Sequence, residues 1–246
     1  MDNAIYVGLS RQMLLQRELD IVANNLANAD TAGFKFESLI ANADAVTTPT
    51  PGAAPTPVVF VAANGVARDY TQGSLTQTGA PLDIAIDGKG FFQVSTAAGP
   101  RYTRDGRFRL DATGRIVTQD GDPVQGEGGD IVLDPKKGPV AIAANGDVSQ
   151  SGQNVGKLSV VTFDSLSALS KDGGNLLRND SNLTAQPATG ALLKQGMLEG
   201  SNVQPVSQIT RLIEINRAYD AITSMMAQTG QLATSAVQRL GSVNPV

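Results

Sequence analysis

The stretch LIEINRAYDAITSMMAQTGQLATSAVQRL, residues 212–240, decides the fold. Leu212, Ile215, Tyr219, Ile222, Met226, Thr229, Ala233, Ala236 and Leu240 step by three and four without a break, the period of one helical face sustained over about eight turns. Asn216 joins the apolar residues of this stripe as a candidate packing position. The small side chains of Thr229, Ala233 and Ala236 would let a second helix approach closely. Ahead of the stripe, Ser201 followed by Gln204 has capping-box spacing, and Pro205 is tolerated in a first turn, so the helix is expected to begin near residue 202.

The other end of the chain mirrors this pattern. Residues 1–28 read as a helix with Ile5, Leu9, Leu19, Ala23 and Leu26 on one seam, interrupted by Gln12 and Gln16. A second seam, Leu15, Leu19, Val22, Leu26 and Ala29, shares two of those residues. A helix docked on its own domain needs only one stripe, so two stripes predict packing against more than one neighbour. Asn24, Asn25 and Asn28 are poor helix formers placed before Gly33, the expected stop region. They read either as a fraying end or as amides that offer donors and acceptors to a densely packed partner surface.

Between the helices the sequence changes character. Residues 42–57, NADAVTTPTPGAAPTP, hold four of the twelve prolines and almost no charge, and read as an extended or mobile linker. From Val58 to Phe163 short apolar alternations are punctuated by Asn64-Gly65, Asp87-Gly88, Asp105-Gly106, Asp120-Gly121 and Asn145-Gly146, the signature of antiparallel hairpins. Candidate strands are Leu82–Ile86, Phe91–Val94, Arg115–Gln119, Asp130–Leu133, Val140–Ala144 and Lys157–Phe163. The expected fold class is α+β: N- and C-terminal helices pair as a coiled-coil-like layer, with a mainly antiparallel β domain inserted between them. The boundaries read as a helical arm at 1–35, linker and first strands at 36–72, the β domain at 73–195 and a second arm at 196–246. The two stripes supply far less apolar area than ordering both arms costs, so the arms are expected to order mainly when several copies, or other chains, pack around them.

Composition narrows the chemistry. The 246 residues carry a net charge of −4 and contain no Cys, His or Trp. That removes Ser-His-Asp and Cys-His catalysis, thiolate and imidazole metal sites and disulfides. The acidic balance removes the long-range attraction to phosphate that nucleic-acid and polybasic membrane binders use. No apolar run approaches the roughly 20 residues that span a bilayer, and Asp2 stands where a cleaved signal would carry a basic region, so neither membrane insertion nor a cleaved leader is expected. Gly88-Lys89-Gly90 precedes Phe91-Phe92 rather than a helix, so it reads as a hairpin turn and not as a phosphate loop. Asp105, Asp111, Asp120, Asp122 and Asp130 follow no calcium-loop spacing and suit hairpin corners. Ser170-Lys171 lacks the spacing of a nucleophile and its base. No catalytic, cofactor or metal residue is proposed, and a carboxylate-dependent enzyme stays only as a remote alternative.

The segment LDIVANNLANADTAGFK, residues 19–35, resembles the N-terminal signature of bacterial flagellar axial proteins, the rod and hook family. QGSLTQTGAPLDIAIDGKGFFQV (72–94), RYTRDGRFRLDATGRIVTQDGDPVQG (101–126) and QGMLEGSNVQPVSQITRLIEINRAYDAI (195–222) resemble further family blocks in the same order. The opening MDNAIY and the modest length are most like the proximal rod type; a distal rod or hook-type subunit is the alternative within the family, and an adhesin or tail-like extracellular subunit the alternative outside it. Two departures stand out: the linker at 42–57, and Ser224-Met225-Met226-Ala227 where relatives are more polar. The resemblance implies a structural subunit of the basal-body rod in the periplasmic space. It would leave the cytoplasm unfolded through the flagellar type III apparatus and polymerise with copies of itself and with other proximal and distal rod proteins into a hollow helical shaft. It implies no cofactor and no nucleic acid. Leu9, Leu15, Leu19, Val22, Asn24, Asn25, Leu26, Asn28, Gly33, Phe34, Leu212, Ile215, Asn216, Tyr219, Ile222, Met226 and Leu240 are then the expected assembly and packing residues. Residues 196–246 carry three Arg against three acidic side chains, so repulsion between copies of this helix would be small.

Overall fold

The structure, a computed structural model, describes residues 2–47 and 57–241. They divide into two compact units. A helical unit takes the described parts of 1–27, 37–68 and 204–246; a β unit takes 28–36 and 69–203.

In the helical unit, α1 (Asp2–Ala27) runs beside α2 (Pro205–Gly241), and a two-stranded ribbon of β1 (Glu37–Thr47) and β2 (Pro57–Arg68) lies against α1. The helix pair closes on Leu15, Val22 and Ile215, with Leu19, Leu212, Ala218, Tyr219 and Ile222 packed around them. Gly8 makes room for Met226: a Cβ there would lie 3.0 Å from Met226 Cγ. The start of α2 differs from the expected capping box. Ser201 Oγ accepts from Val203 N, and the Gln204 carbonyl accepts from Gln208 N, which makes Pro205 the first helical residue. Proline costs nothing there, because that N–H has no intrahelical acceptor.

The ribbon pairs Glu37 with Arg68 through to Thr47 with Pro57. The register shifts between Ile40 and Ala41, whose partners are Gly65 and Ala63, so Asn64 is an extra bulged residue. The Asn64-Gly65 pair, expected to turn a hairpin, sits inside a strand. The expected linker at 42–57 also divides: 42–47 pair with 57–62, and 48–56 lie outside the described residues. The run Val58-Val59-Phe60-Val61 has high strand propensity and gives the proline-flanked segment a partner.

The β unit is antiparallel throughout its described pairings. Its largest sheet has six strands in the order Leu169–Lys171, Leu176–Asn179, Gly99–Thr103, Phe91–Thr96, Val160–Thr162, Gln186–Pro187. A three-stranded meander of Val140–Ile142, Asp147–Gln150 and Gln153–Lys157 accompanies it. Because strand side chains alternate faces, adjacent Phe91 and Phe92 serve two cores. Phe92 joins Ile84, Ile86, Val94, Phe108, Ile116 and Val124 in the larger; Phe91 joins Tyr102, Val161, Phe163 and Leu169 in the smaller. Edge-to-face contacts of Phe92 with Phe108 (5.0 Å) and Tyr102 with Phe163 (4.8 Å) tie each core together. The expected strands at 82–86, 91–94, 140–144 and 157–163 correspond to Ile84–Asp87, Phe91–Thr96, Val140–Ile142 and Val160–Thr162. That at 115–119 shortens to Ile116–Val117, and that at 130–133 lies alongside it through the Arg115–Val132 bridge, with only Asp130 inside a regular strand, Gly129–Asp130.

Candidate assembly surface

The expected packing residues fall into distinct environments. Leu15, Val22 and Ile215 are buried in the seam, while Leu19, Leu26, Leu212, Tyr219, Ile222 and Met226 are half-buried. The side chain of Leu240 lies outside the described residues. Leu9 is turned outward, 44% exposed, between Tyr6 at 60% and Met13 at 52%. These three sit at i, i+3 and i+7 and form an apolar stripe on the side of α1 turned away from Leu15 and Val22. On α2, Val206, Ile209 and Ile213 repeat the same spacing, also exposed and turned away from Ile215 and Ile222. Each helix thus carries one covered and one uncovered apolar face. Of these six residues only Leu9 is among the expected packing positions, and there it shares a seam with Leu19 and Leu26, which are half-buried while Leu9 is exposed. Polar contacts frame the pair: Arg211 Nε donates to Glu18 Oε1 at 2.9 Å and Nη1 to Glu214 Oε2 at 3.1 Å, bonds that raise the guanidinium pKa. Arg211 is half exposed, so such pairs contribute at most about 1 kcal/mol.

The asparagine cluster resolves into three roles. Asn25 is fully buried: its Nδ2 donates to the Glu37 carbonyl at 2.7 Å, and its Oδ1 accepts from the Glu37 N–H at 3.0 Å. The side-chain amide imitates a neighbouring strand and fastens the start of β1 to the end of α1. Nδ2 also lies 3.5 Å from Gln208 Oε1, which reaches in from α2. Asn25→Leu is therefore expected to lower the stability of the helical unit by about 2–4 kcal/mol, because both backbone groups lose these bonds. A thermal melt followed at 222 nm that matches wild type would contradict this. Asn28 accepts from the Thr31 amide and hydroxyl, both at 3.2 Å, shaping the turn after the helix, while Asn24 and Asn216 are exposed. Asn216 Nδ2 folds back onto the Leu212 carbonyl at 2.9 Å.

Gly33 and Phe34 belong to the β unit, where Phe34 is buried with Lys171 Nζ 4.9 Å from its ring centre. Beside them stands an arrangement that no sequence pattern announced. Lys35 Nζ donates to Glu199 Oε1 at 2.5 Å and to the Thr71 carbonyl at 2.7 Å, and Arg104 Nη1 donates to Glu199 Oε2 at 2.8 Å. All three side chains are almost wholly buried, and burial pulls the Lys35 pKa below its ordinary value despite Glu199. Glu199 lies in the block 195–222, directly after Met197-Leu198, and nothing in that segment marks it as the partner of Lys35 and Arg104.

Among the described residues no cluster of three or more carboxylates could hold a metal ion, and no helix is long and apolar enough to cross a membrane. Three family models match the chain in order: "Flagella basal body rod protein" over residues 5–35, "Flagellar hook protein FlgE/F/G D1 domain" over 85–150 and "Flagellar basal body rod FlgEFG protein C-terminal" over 194–239. The flagellar basal-body rod protein FlgF of Caulobacter vibrioides is 53% identical over 245 residues, covering 99% of this chain and 100% of the relative. FlgF of Mesorhizobium japonicum is 36% identical, covering 98% and 99%. The rod protein FlgG of Bacillus subtilis is 32% identical, covering 93% and 96%. With full-length identity on this scale, and with one unit of paired terminal helices and one antiparallel β unit, the chain belongs to the flagellar basal-body rod proteins and is most like those named FlgF.

Proposed function

We propose that this structural subunit, one component of the flagellar basal-body rod, completes its own burial only by polymerising. Copies of the chain, together with other rod proteins, bring helices against the outward stripes Tyr6-Leu9-Met13 and Val206-Ile209-Ile213. The helices then form a coiled-coil-like wall of a hollow shaft. The chain reaches its place unfolded, through the flagellar type III apparatus.

The observation that carries this reading is the pair of uncovered stripes. Six apolar side chains at helical spacing stay exposed on helices whose opposite faces are already covered. With 44–79% of each still exposed, covering them contributes about 1 kcal/mol apiece, so together they offer on the order of 6 kcal/mol toward association.

Ile209→Asp and Ile213→Asp test it. Both side chains are 46–47% exposed, so the purified monomer should keep its melting temperature within a few degrees, while a charge on a face that must become buried is expensive. Swimming in soft agar and recovery of the chain in purified basal bodies should both fall to background. Wild-type swimming by both variants would remove the stripes from the assembly surface.

A further inference from the structure

The β unit is closed around one carboxylate that answers two buried cations. Glu199, 1% exposed, accepts from Lys35 Nζ, Arg104 Nη1 and the Gly73 N–H at 3.0 Å, and its own carbonyl accepts from Gly33 N at 2.8 Å. Arg104 is further held by Nη2 on the Gly88 carbonyl at 2.7 Å and lies 5.4 Å from the centre of the Phe91 ring. Its Nε has no acceptor. Asp69 also attracts Lys35, but it is exposed and its Oδ1 accepts from Thr71 N at 2.9 Å, so it does not enter the buried group.

We propose that Glu199 is a charge-gated keystone: the β unit cannot close until residues 197–199 supply the counter-charge for Lys35 and Arg104. Burying an unpaired cation costs several kcal/mol, and two cations close to one carboxylate repel each other once that carboxylate is missing. The cations enter early in the chain, at positions 35 and 104, and the carboxylate enters late. A chain made from its N-terminus therefore carries both cations, and most of the apolar residues of both cores, well before Glu199 exists. During that interval closing the unit would strand two charges. The same short strand, Met197–Glu199, pairs with Leu75–Gln77, so backbone bonds and counter-charge arrive in one step. A route that carries the chain unfolded would profit from this delay, but the keystone rests on the buried triad alone and not on the assembly reading above.

The test uses the full-length chain and hydrogen exchange read by mass spectrometry over residues 84–94 and 116–124. Glu199→Gln keeps the shape and removes the charge; exchange in these segments should accelerate about 100-fold or more. Lys35→Met/Arg104→Met/Glu199→Met removes the cations along with the carboxylate. It should return exchange to within about tenfold of wild type, and it should refold from urea faster than wild type because nothing waits for a counter-charge. Wild-type protection in Glu199→Gln would overturn the proposal. So would a triple variant that stays as open as Glu199→Gln, since packing or hydrogen-bond geometry, rather than charge, would then be what Glu199 supplies.

Discussion

Ile215→Asp is expected to take the two terminal helices apart while the β unit stays folded. Ile215 is 1% exposed and shares its small core only with Leu15, Val22 and the residues packed around them. A carboxylate there has no cation within the cluster to pair with, so the cost should exceed about 3 kcal/mol. That is a large fraction of what so small a core can contribute. The expected readout is loss of most of the helical circular dichroism together with retained dispersion of the β-unit amide resonances, because the β unit owns two separate cores. Ile215→Val, which removes one methyl group, should cost only about 1 kcal/mol and keep the helices paired. Wild-type helicity in Ile215→Asp would show that the seam is not what holds them.

Gly33→Ala should damage the β unit almost as severely. Gly33 sits at φ +70°, and a Cβ built there would stand 2.4 Å from the carbonyl carbon of Arg104, 2.6 Å from its oxygen and 2.6 Å from Asp105 N. All three are backbone atoms, which cannot swing aside as a side-chain tip could. Gly79 supplies the control, since it has φ +75° with nothing within 4 Å of a built Cβ. Gly79→Ala should cost about 1–2 kcal/mol from backbone strain alone. Gly33→Ala should cost at least twice as much, because strain and collision add. Equal melting temperatures for the two variants would mean that the close approach to Arg104 carries no weight.

The helices were legible because periodicity is a local property: Leu15, Val22 and Ile215 can be placed on a face by counting along one segment. Even the second stripe could be counted, though counting alone does not say which of two apolar faces is covered; Leu9 and Leu15 look equivalent in the sequence and differ completely in burial. A hairpin turn was legible for the same local reason at Asn145-Gly146, where glycine takes positive φ between the paired strands Val140–Ile142 and Asp147–Gln150. Asp87-Gly88 also has positive φ at its glycine but is no hairpin: Ile84–Asp87 pairs with Leu192–Gln195 and Phe91–Thr96 with other strands, so the turn passes the chain from one sheet to another. Asn64-Gly65 was not legible either, because a bulge and a turn use the same residue types and only the register of β1 distinguishes them. The proline-rich segment hid a strand, since pairing of 42–47 depends on the later run 57–62. The resemblance named the family but could not say what its Lys35 does. That role depends on Glu199, 164 positions away, and nothing local in either segment points to the other.

The Asn25 clasp has a consequence for the conditions in which the subunit works. It joins helix to ribbon with neutral groups only, an amide on one side and a peptide on the other. Such a joint has no charge to be screened by salt and none to be titrated between mild acid and mild alkali. A surface ion pair such as Arg211 with Glu18 weakens as electrolyte rises, whereas this joint holds equally in dilute and concentrated medium. The end of the first helix is thereby fastened independently of the ionic strength that surrounds it.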